Sequence, residues 1–178
     1  MNSPSLVFAR AIVAVSTLLP AALVGQAPAR DGLFADAGLG FGRVWALEGN
    51  EWLNGPSGRM AIGAAVGHRW MFGIQFAGGL VTPKRDDLEA VAMLGPVVRY
   101  VIDQEGYWVL STAVGVALMR ASDEVPIRKS RDLGVSLGIG YERKLGGSFG
   151  LAPYSEVQFS GARIAGMRLA LGVALAWY

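Results

Sequence analysis

The last twelve residues of the chain, MRLALGVALAWY, alternate between large and small apolar side chains. The large side chains stand at every second position, which are Leu169, Leu171, Val173, Leu175 and Trp177. Successive side chains of a β-strand point to opposite faces of a sheet, so this stretch predicts a strand with one large apolar face and one face of alanine and glycine. The environment of the large face, either protein interior or lipid, decides what the chain folds into.

The same period of two recurs along the chain. Eight segments show it, at residues 33–45, 60–70, 72–80, 88–100, 107–119, 132–143, 149–160 and 167–178. Each is close to the ~9–11 residues of a tilted membrane-spanning strand. An even number of strands lets an up-and-down sheet close with both chain ends on one side. The sequence therefore predicts an all-β fold, an eight-stranded antiparallel up-and-down transmembrane β-barrel.

The scarcity of charge indicates which face of the predicted sheet is outside. Charged residues make up 17% of the chain, against about 25% in ordinary soluble domains. In a soluble, lipocalin-like ligand-binding barrel, the large face would line the interior, and a surface of glycine and alanine is hard to keep soluble. The reverse arrangement turns the large face to lipid and leaves small and polar side chains in a narrow lumen. We expect this membrane barrel, and the soluble barrel stays as the third alternative.

Aromatic residues of the large face gather at one end of the predicted strands. Seven lie next to the short connections: Trp70, Phe72, Tyr100, Trp108, Tyr141, Phe149 and Trp177. Membrane barrels carry such girdles at their two interfaces with water. We therefore predict one girdle at this rim, and the start of a second girdle near the long connections at Phe41, Trp45 and Phe159.

The connections between the predicted strands alternate in length. Residues 46–59 and 120–131 form long connections, whereas residues 70–71 form a tight turn. Long loops at one rim and short turns at the other are typical of outer-membrane barrels. Two predicted strands contain a proline, Pro96 and Pro153. Because proline normally avoids paired strands, we expect bulges or distorted pairing there.

The N-terminus has the organisation of a secretory signal peptide. Arg10 is its only charged residue, residues 11–24 are apolar, and Ala-Pro-Ala follows at a suitable distance for cleavage. The apolar run is shorter than the ~20 residues that a membrane-spanning helix needs. We predict a signal peptide at residues 1–29 and the barrel at residues 30–178.

These features together resemble the small outer-membrane β-barrel proteins of Gram-negative bacteria, the OmpX, OmpW and OmpA-barrel-like proteins. The resemblance covers the chain after the leader and implies membership of the porin-like barrels, secretion across the inner membrane and residence in the outer membrane as a monomer. It also implies outer-membrane lipid as a partner and assembly by the barrel assembly machinery, which reads a C-terminal aromatic residue. Here Trp177 has the phase of that residue, while Tyr178 is the last residue of the sequence.

The sequence offers little for catalysis or metal binding. His68 is the only histidine and cysteine is absent, whereas triads and zinc sites depend on clusters of such residues. We therefore predict no catalytic, cofactor-binding or metal-binding residue, no cofactor and no enzymatic activity, and an enzyme acting on lipid A is disfavoured. A net charge of +2 without a basic stripe also argues against nucleic acid as a partner.

Six charged residues have the phase of the small, lumen-facing side: Asp36, Glu89, Arg99, Glu142, Glu156 and Arg168. Isolated charges in a narrow lumen are costly, so we expect pairing or hydration. A salt-bridged plug that fixes the barrel is the interpretation we favour, and a gate for small solutes or ions is the alternative. The many glycines and alanines also leave room for a wet or ligand-holding lumen.

The sequence thus predicts a non-enzymatic outer-membrane barrel with a structural or surface-interaction role, with a narrow porin-like channel for small solutes as the alternative. Basic residues of the predicted loops offer one surface, namely Lys84, Arg85, Arg128, Lys129 and Arg131. They form either an ordinary solvated face or contacts to lipopolysaccharide phosphates at the outer surface.

Overall fold

The computed structural model describes residues 32–46, 51–81, 89–103, 107–120, 130–161 and 166–178, and their regular secondary structure is all β-strand. The strands are β1 (Gly32–Ala46), β2 (Glu51–Val66), β3 (Trp70–Val81), β4 (Glu89–Val101), β5 (Trp108–Arg120), β6 (Ser130–Tyr141), β7 (Arg143–Gly146), β8 (Phe149–Ser160) and β9 (Gly166–Trp177). No helix in these parts of the chain is long and apolar enough to cross a membrane. The predicted leader, residues 1–29, lies outside the described residues.

The strands form one closed antiparallel sheet. Strand β1 pairs with β2 on one side and with β9 on the other, which joins the two ends of the chain. The sheet closes between β6 and β8, and β7 continues β6 along the same edge of β8. Because β6 and β7 form one strand of the barrel, the described segments make an eight-stranded up-and-down barrel. The predicted fold class is confirmed.

The break between β6 and β7 lies opposite Pro153. Pairing with β8 stops at Gly140 and resumes at Arg143 in the same register. Proline has no N–H to donate to a ladder, which explains an interruption at this place. On the other edge of the strand, the Glu142 N–H still donates to the Tyr107 carbonyl at 2.7 Å, so the strand keeps its place in the barrel.

Pro96 has a similar effect on β4. The β4–β5 ladder lacks the pairs between Leu94 and Val97, yet its register is the same on both sides of the gap. On the opposite edge, Pro96 pairs normally with Ile74 of β3. A bulge would insert a residue and shift the register. The expected distortion of pairing is thus confirmed at both prolines. In both places the ladder is interrupted without the register shift that a bulge would cause.

Strand β2 begins at Glu51 rather than at residue 60, so the predicted long connection over residues 46–59 is wrong. The segment contains asparagine, glycine, proline and serine, which favour turns. Its pairing with β1 nevertheless continues without a break to Ala46↔Glu51. Cross-strand packing explains this, because Trp52 packs edge-on against Trp45 at 5.0 Å between ring centroids.

The turn between β2 and β3 also differs from the prediction. It occupies residues 67–69 instead of 70–71, so Trp70 begins β3 rather than ending β2. Gly67 has φ +66°, a left-handed conformation that glycine adopts without steric cost. The glycine therefore sets the position of the turn, three residues earlier than the alternation of side chains indicates.

Burial alternates along the strands as the period of two predicts. The large face is exposed, with Leu33, Leu39 and Ile62 at 65, 80 and 64% relative exposure, whereas lumen-facing neighbours such as Phe34 and Ala61 are buried. The large apolar side chains therefore lie on the outside of the barrel, an arrangement suited to lipid. The lipocalin-like alternative, which needs them inside, is wrong.

Glycines on the lumen face let the wall approach itself and the interior side chains closely. Gly63 faces Gly73 across the β2–β3 pair, and a Cβ placed on Gly63 would stand 2.6 Å from the Gly73 Cα and 2.7 Å from the Phe34 ring. Likewise, a Cβ on Gly172 would stand 2.8 Å from the Tyr154 ring. At Gly63 and Gly172, an aromatic ring therefore occupies the space that a larger side chain would need.

Candidate functional site inside the barrel

The described part of the lumen holds six side chains of the acidic and basic residue types, all of them between 1 and 6% exposed: Asp36, Arg59, Arg99, Glu142, Glu156 and Arg168. Three carboxylates and three guanidiniums balance in charge. Five of the six are lumen charges predicted from the sequence. Arg59 was missed because the predicted strand began at residue 60. The side chain of Glu89, the remaining predicted lumen charge, lies outside the described residues.

One cluster centres on the carboxylate of Asp36, on β1. Arg99 of β4 contacts it directly through Nη1, and Arg59 of β2 places Nε 3.6 Å from the Asp36 Oδ1. The Arg99 guanidinium also lies 5.1 Å from the centroid of the Phe34 ring. A single carboxylate on β1 thus joins arginines of β2 and β4, two strands that are not paired with each other, which restrains both side chains.

A second cluster centres on Arg168, on β9. Its Nη2 contacts the Glu156 carboxylate, its Nε donates to the Gln158 Oε1 at 3.1 Å, and its Nη1 donates to the Gly78 carbonyl at 2.9 Å. The Gln75 Nε2 donates to the same Glu156 carboxylate at 3.0 Å. Gln75 and Gly78 belong to β3, whereas Glu156 and Gln158 belong to β8 on the opposite side of the closed sheet. These bonds therefore span the full width of the lumen.

Tyr154 contacts the first cluster and lies on the same strand as Glu156 of the second cluster. The Arg59 guanidinium lies 3.9 Å from the centroid of the Tyr154 ring, close enough for a cation–π contact. Tyr154 is two residues before Glu156 on β8, so both side chains point into the lumen. Apolar side chains fill much of the remaining interior, and among them Met71 and Met93 are 0% exposed. Polar and apolar side chains together form a connected packing through the lumen.

Tyr178 closes the lumen at the short-turn end. Its hydroxyl bonds the Glu142 carboxylate, and its N–H donates to the Ser148 carbonyl at 2.9 Å. Its side chain packs against the buried cluster that contains Phe34. Trp177, by contrast, faces outward and is 43% exposed, as its phase predicted. Trp177 thus belongs to the outward-facing girdle, whereas Tyr178 packs inside the barrel.

The aromatic girdle at the short-turn rim is formed as the sequence predicts. Trp70 packs on Tyr100 at 4.7 Å between ring centroids, and Trp108 packs on Tyr141 at 4.9 Å. At the opposite rim, Trp45 packs on Trp52, a residue that the sequence analysis placed in a loop. An aromatic contact therefore marks each rim of the barrel, which is the arrangement of a membrane-spanning barrel.

The other predicted residues fall outside this site. His68 is exposed in the β2–β3 turn, and within the described residues no three His, Cys, Asp or Glu side chains are placed to hold a metal ion. The loop residues Lys84, Arg85, Arg128 and Lys129 lie outside the described residues, as does the side chain of Arg131. The predicted lipopolysaccharide surface is therefore not part of the described barrel.

No protein-family model matches the chain, and no curated protein matches it by sequence. Solved structures do match. Neisserial surface protein A superposes with a TM-score of 0.66 at 13% identity, over 83% of this chain and 97% of that protein. The attachment invasion locus protein Ail of Yersinia pestis superposes with a TM-score of 0.58 at 15% identity, over 83% of this chain and 99% of Ail. The N-terminal β-barrel domain of Pseudomonas aeruginosa OprF superposes with a TM-score of 0.51 at 11% identity, over 83% of this chain and 98% of that domain. The predicted resemblance to small membrane barrels is confirmed at the level of fold.

Proposed function

We propose that the chain is a non-enzymatic outer-membrane β-barrel protein whose barrel is a closed scaffold for its surface loops. The observation that carries the proposal is the combination of an apolar outer face with a cross-linked, filled lumen. The outer face suits lipid on all sides. The Arg168 cluster joins opposite walls and the Asp36 cluster joins non-neighbouring strands, so the lumen side chains support the wall instead of lining a passage.

The proposal includes the targeting expected from the sequence. Residues 1–29 serve as a cleaved signal peptide, residues 30–178 form the mature protein, and the barrel assembly machinery inserts it into the outer membrane of a Gram-negative bacterium as a monomer. Two features of the described barrel are compatible with this targeting. Strand β1 pairs with β9, which closes the barrel, and Tyr178 lies beside a short turn. The short turns would then face the periplasm and the long loops the outside.

A surface-interaction role is supported by the long-loop rim. The basic residues of the predicted loops have the chemistry to contact phosphate or sulfate groups. Ail, which shares the fold, has also been solved in complex with the heparin analogue sucrose octasulfate, with a TM-score of 0.53 at 12% identity over 83 and 99% of the chains. We propose lipopolysaccharide phosphates as the corresponding ligand here. If neutralising Lys84, Arg85, Arg128, Lys129 and Arg131 leaves lipopolysaccharide co-purification unchanged, this part of the proposal fails.

Planar-bilayer conductance tests the closed scaffold against the narrow channel. We expect the wild-type barrel to give no sustained single-channel current. The variant Arg168→Ala, which removes the side chain that spans the lumen, serves as the comparison, and Ser155→Ala on the outer face serves as the control. Steady current through the wild-type barrel would favour the channel and contradict the scaffold.

A further inference from the structure

Two arginines stand at the outer side of the short-turn rim, each beside a tyrosine of the girdle. The Arg69 Nη1 donates to the Tyr100 hydroxyl at 3.1 Å. The Arg143 Nε and Nη2 lie 3.3 and 3.2 Å from the Tyr141 hydroxyl. In each pair the tyrosine oxygen accepts from the arginine, so the tyrosine proton is available to a further acceptor. Each pair therefore presents guanidinium and phenol donors together.

Neither guanidinium has a carboxylate partner among the residues that the structure describes. Arg143 lies over the rings of Tyr107 and Tyr141, at 5.5 and 5.7 Å from their centroids, and Arg69 is exposed. Asp103, on the β4–β5 turn of the same rim, instead accepts from the backbone N–H of Trp108 at 2.7 Å. The two arginines thus present positive charge that the described part of the rim does not neutralise.

The position of the pairs along the membrane normal follows from the girdle. Tyr100 packs on Trp70, and Tyr141 packs on Trp108, all on the lipid-facing side. Tryptophan and tyrosine rings in such a girdle lie at the level of the lipid headgroups. The guanidiniums bonded to the two tyrosines therefore lie at the level of the lipid phosphates.

The two pairs are also close to each other. Tyr100 belongs to β4 and Tyr141 to β6, with only β5 between them. Neighbouring strands lie about 4.8 Å apart, so the two pairs are separated by roughly 10 Å around the rim. One arc of the barrel thus carries both positive charges, with the Trp108 ring of β5 between them.

We propose that these pairs, Arg69 with Tyr100 and Arg143 with Tyr141, form a binding site for the phosphates of anionic glycerophospholipids. The guanidinium supplies parallel N–H donors to a phosphate, and the tyrosine hydroxyl supplies one more. The two guanidiniums favour an anionic lipid over a zwitterionic one. The site rests on the proposed function, since it requires the barrel to stand in a membrane with its girdle at the headgroups.

The test measures lipid selectivity of the folded full-length barrel in phosphatidylcholine vesicles that contain increasing brominated phosphatidylglycerol. Bromine quenches nearby tryptophan fluorescence, and Trp70 and Trp108 stand within the proposed site. We expect brominated phosphatidylglycerol to quench more strongly than the same fraction of brominated phosphatidylcholine. This preference should fall by up to about fivefold for each of Arg69→Gln and Arg143→Gln at low salt. Lys144→Gln is the matched control, because it removes one charge from the same rim at a lumen-phase position.

The tyrosines separate a built site from general attraction between charges. Tyr100→Phe and Tyr141→Phe keep the net charge, and we expect each to reduce the preference by a smaller factor. No preference in the wild type, an equal loss in Lys144→Gln, or no effect of both tyrosine variants would overturn the site. Retention of the heat-dependent gel shift in every variant shows that the barrel is intact, so failure of the lipid site is distinguishable from failure of the proposed function.

Discussion

Replacing Arg168 with methionine removes the side chain that holds the widest cross-connection in the lumen. The substitution keeps an unbranched side chain of similar volume but leaves the buried Glu156 carboxylate with only the Gln75 amide as a described partner. It also removes the donors to Gln158 and to the Gly78 carbonyl. The perturbation therefore removes the ion pair together with the two hydrogen bonds that the guanidinium donates to neutral acceptors.

The expected cost follows from these contacts. Removing one partner of a buried ion pair destabilises a protein by about 3–5 kcal/mol, and each lost hydrogen bond from a charged group adds about 1.5–3 kcal/mol when the terms do not overlap. Because the same arginine makes all of these contacts, we expect a total near 4 kcal/mol instead of the full sum. The double variant Glu156→Gln, Arg168→Met removes both charges, so it should recover about half of this loss or more.

Reversible urea unfolding in phospholipid vesicles, followed by tryptophan fluorescence and by the gel shift, measures both variants. Ser155→Ala on the outer face of β8 is the control, with an expected change below about 0.5 kcal/mol. A loss below about 1 kcal/mol for Arg168→Met, or a double variant less stable than the single one, would refute the reasoning that the pair cross-links the lumen.

Three further predictions concern the ends and wall of the barrel. Tyr178→Phe removes the hydroxyl bond to a buried carboxylate and should lower the free energy of unfolding by about 1.5–3 kcal/mol in the same urea assay. Gly63→Ala forces a Cβ to within 2.6 Å of the Gly73 Cα and should abolish or strongly reduce the heat-modifiable band. Pro153→Ala restores an N–H opposite the break in the β6–β8 ladder and should slow amide hydrogen exchange there.

Two of these variants, Tyr178→Phe and Gly63→Ala, have a control with a different expected result. Thr112→Val removes an outward hydroxyl whose bond to a carbonyl is 3.3 Å long, so it should cost less than Tyr178→Phe. Gly58→Ala should be milder than Gly63→Ala, because its nearest contact is the Gly38 carbonyl oxygen at 3.3 Å. Normal folding of Gly63→Ala would contradict the close approach of β2 and β3 at this glycine. Unchanged amide exchange at residue 141 in Pro153→Ala would contradict the attribution of the ladder break to the proline.

The alternation of side chains was enough to predict the barrel and to predict which face of the sheet lies on the outside. Leu39 and Trp177 face outward and Asp36 and Glu156 face inward because a strand offers only two faces, and the sequence shows which residues share one. The girdle followed from the same phase, since Trp70 and Trp108 lie where the strands meet the short turns.

The features that the sequence did not predict depend on contacts between segments that are distant in the chain. The start of β2 was missed because Asn54, Pro56 and Ser57 favour turns locally, whereas pairing with β1 holds them extended. Arg59 was lost from the candidate site for the same reason. The inward position of Tyr178 was also missed, and its phase relative to Trp177 is the signal that would have shown it. Which inward charges meet across the lumen requires the shape of the closed barrel, which a period of two does not contain.

Heat-modifiable migration of the protein from isolated outer membranes tests the central claim, that a closed barrel turns its large apolar face to lipid. The unboiled protein should run as a compact band that shifts to the position of the unfolded chain after boiling. Recovery of the protein in the soluble periplasmic fraction, with the same migration before and after boiling, would contradict the claim.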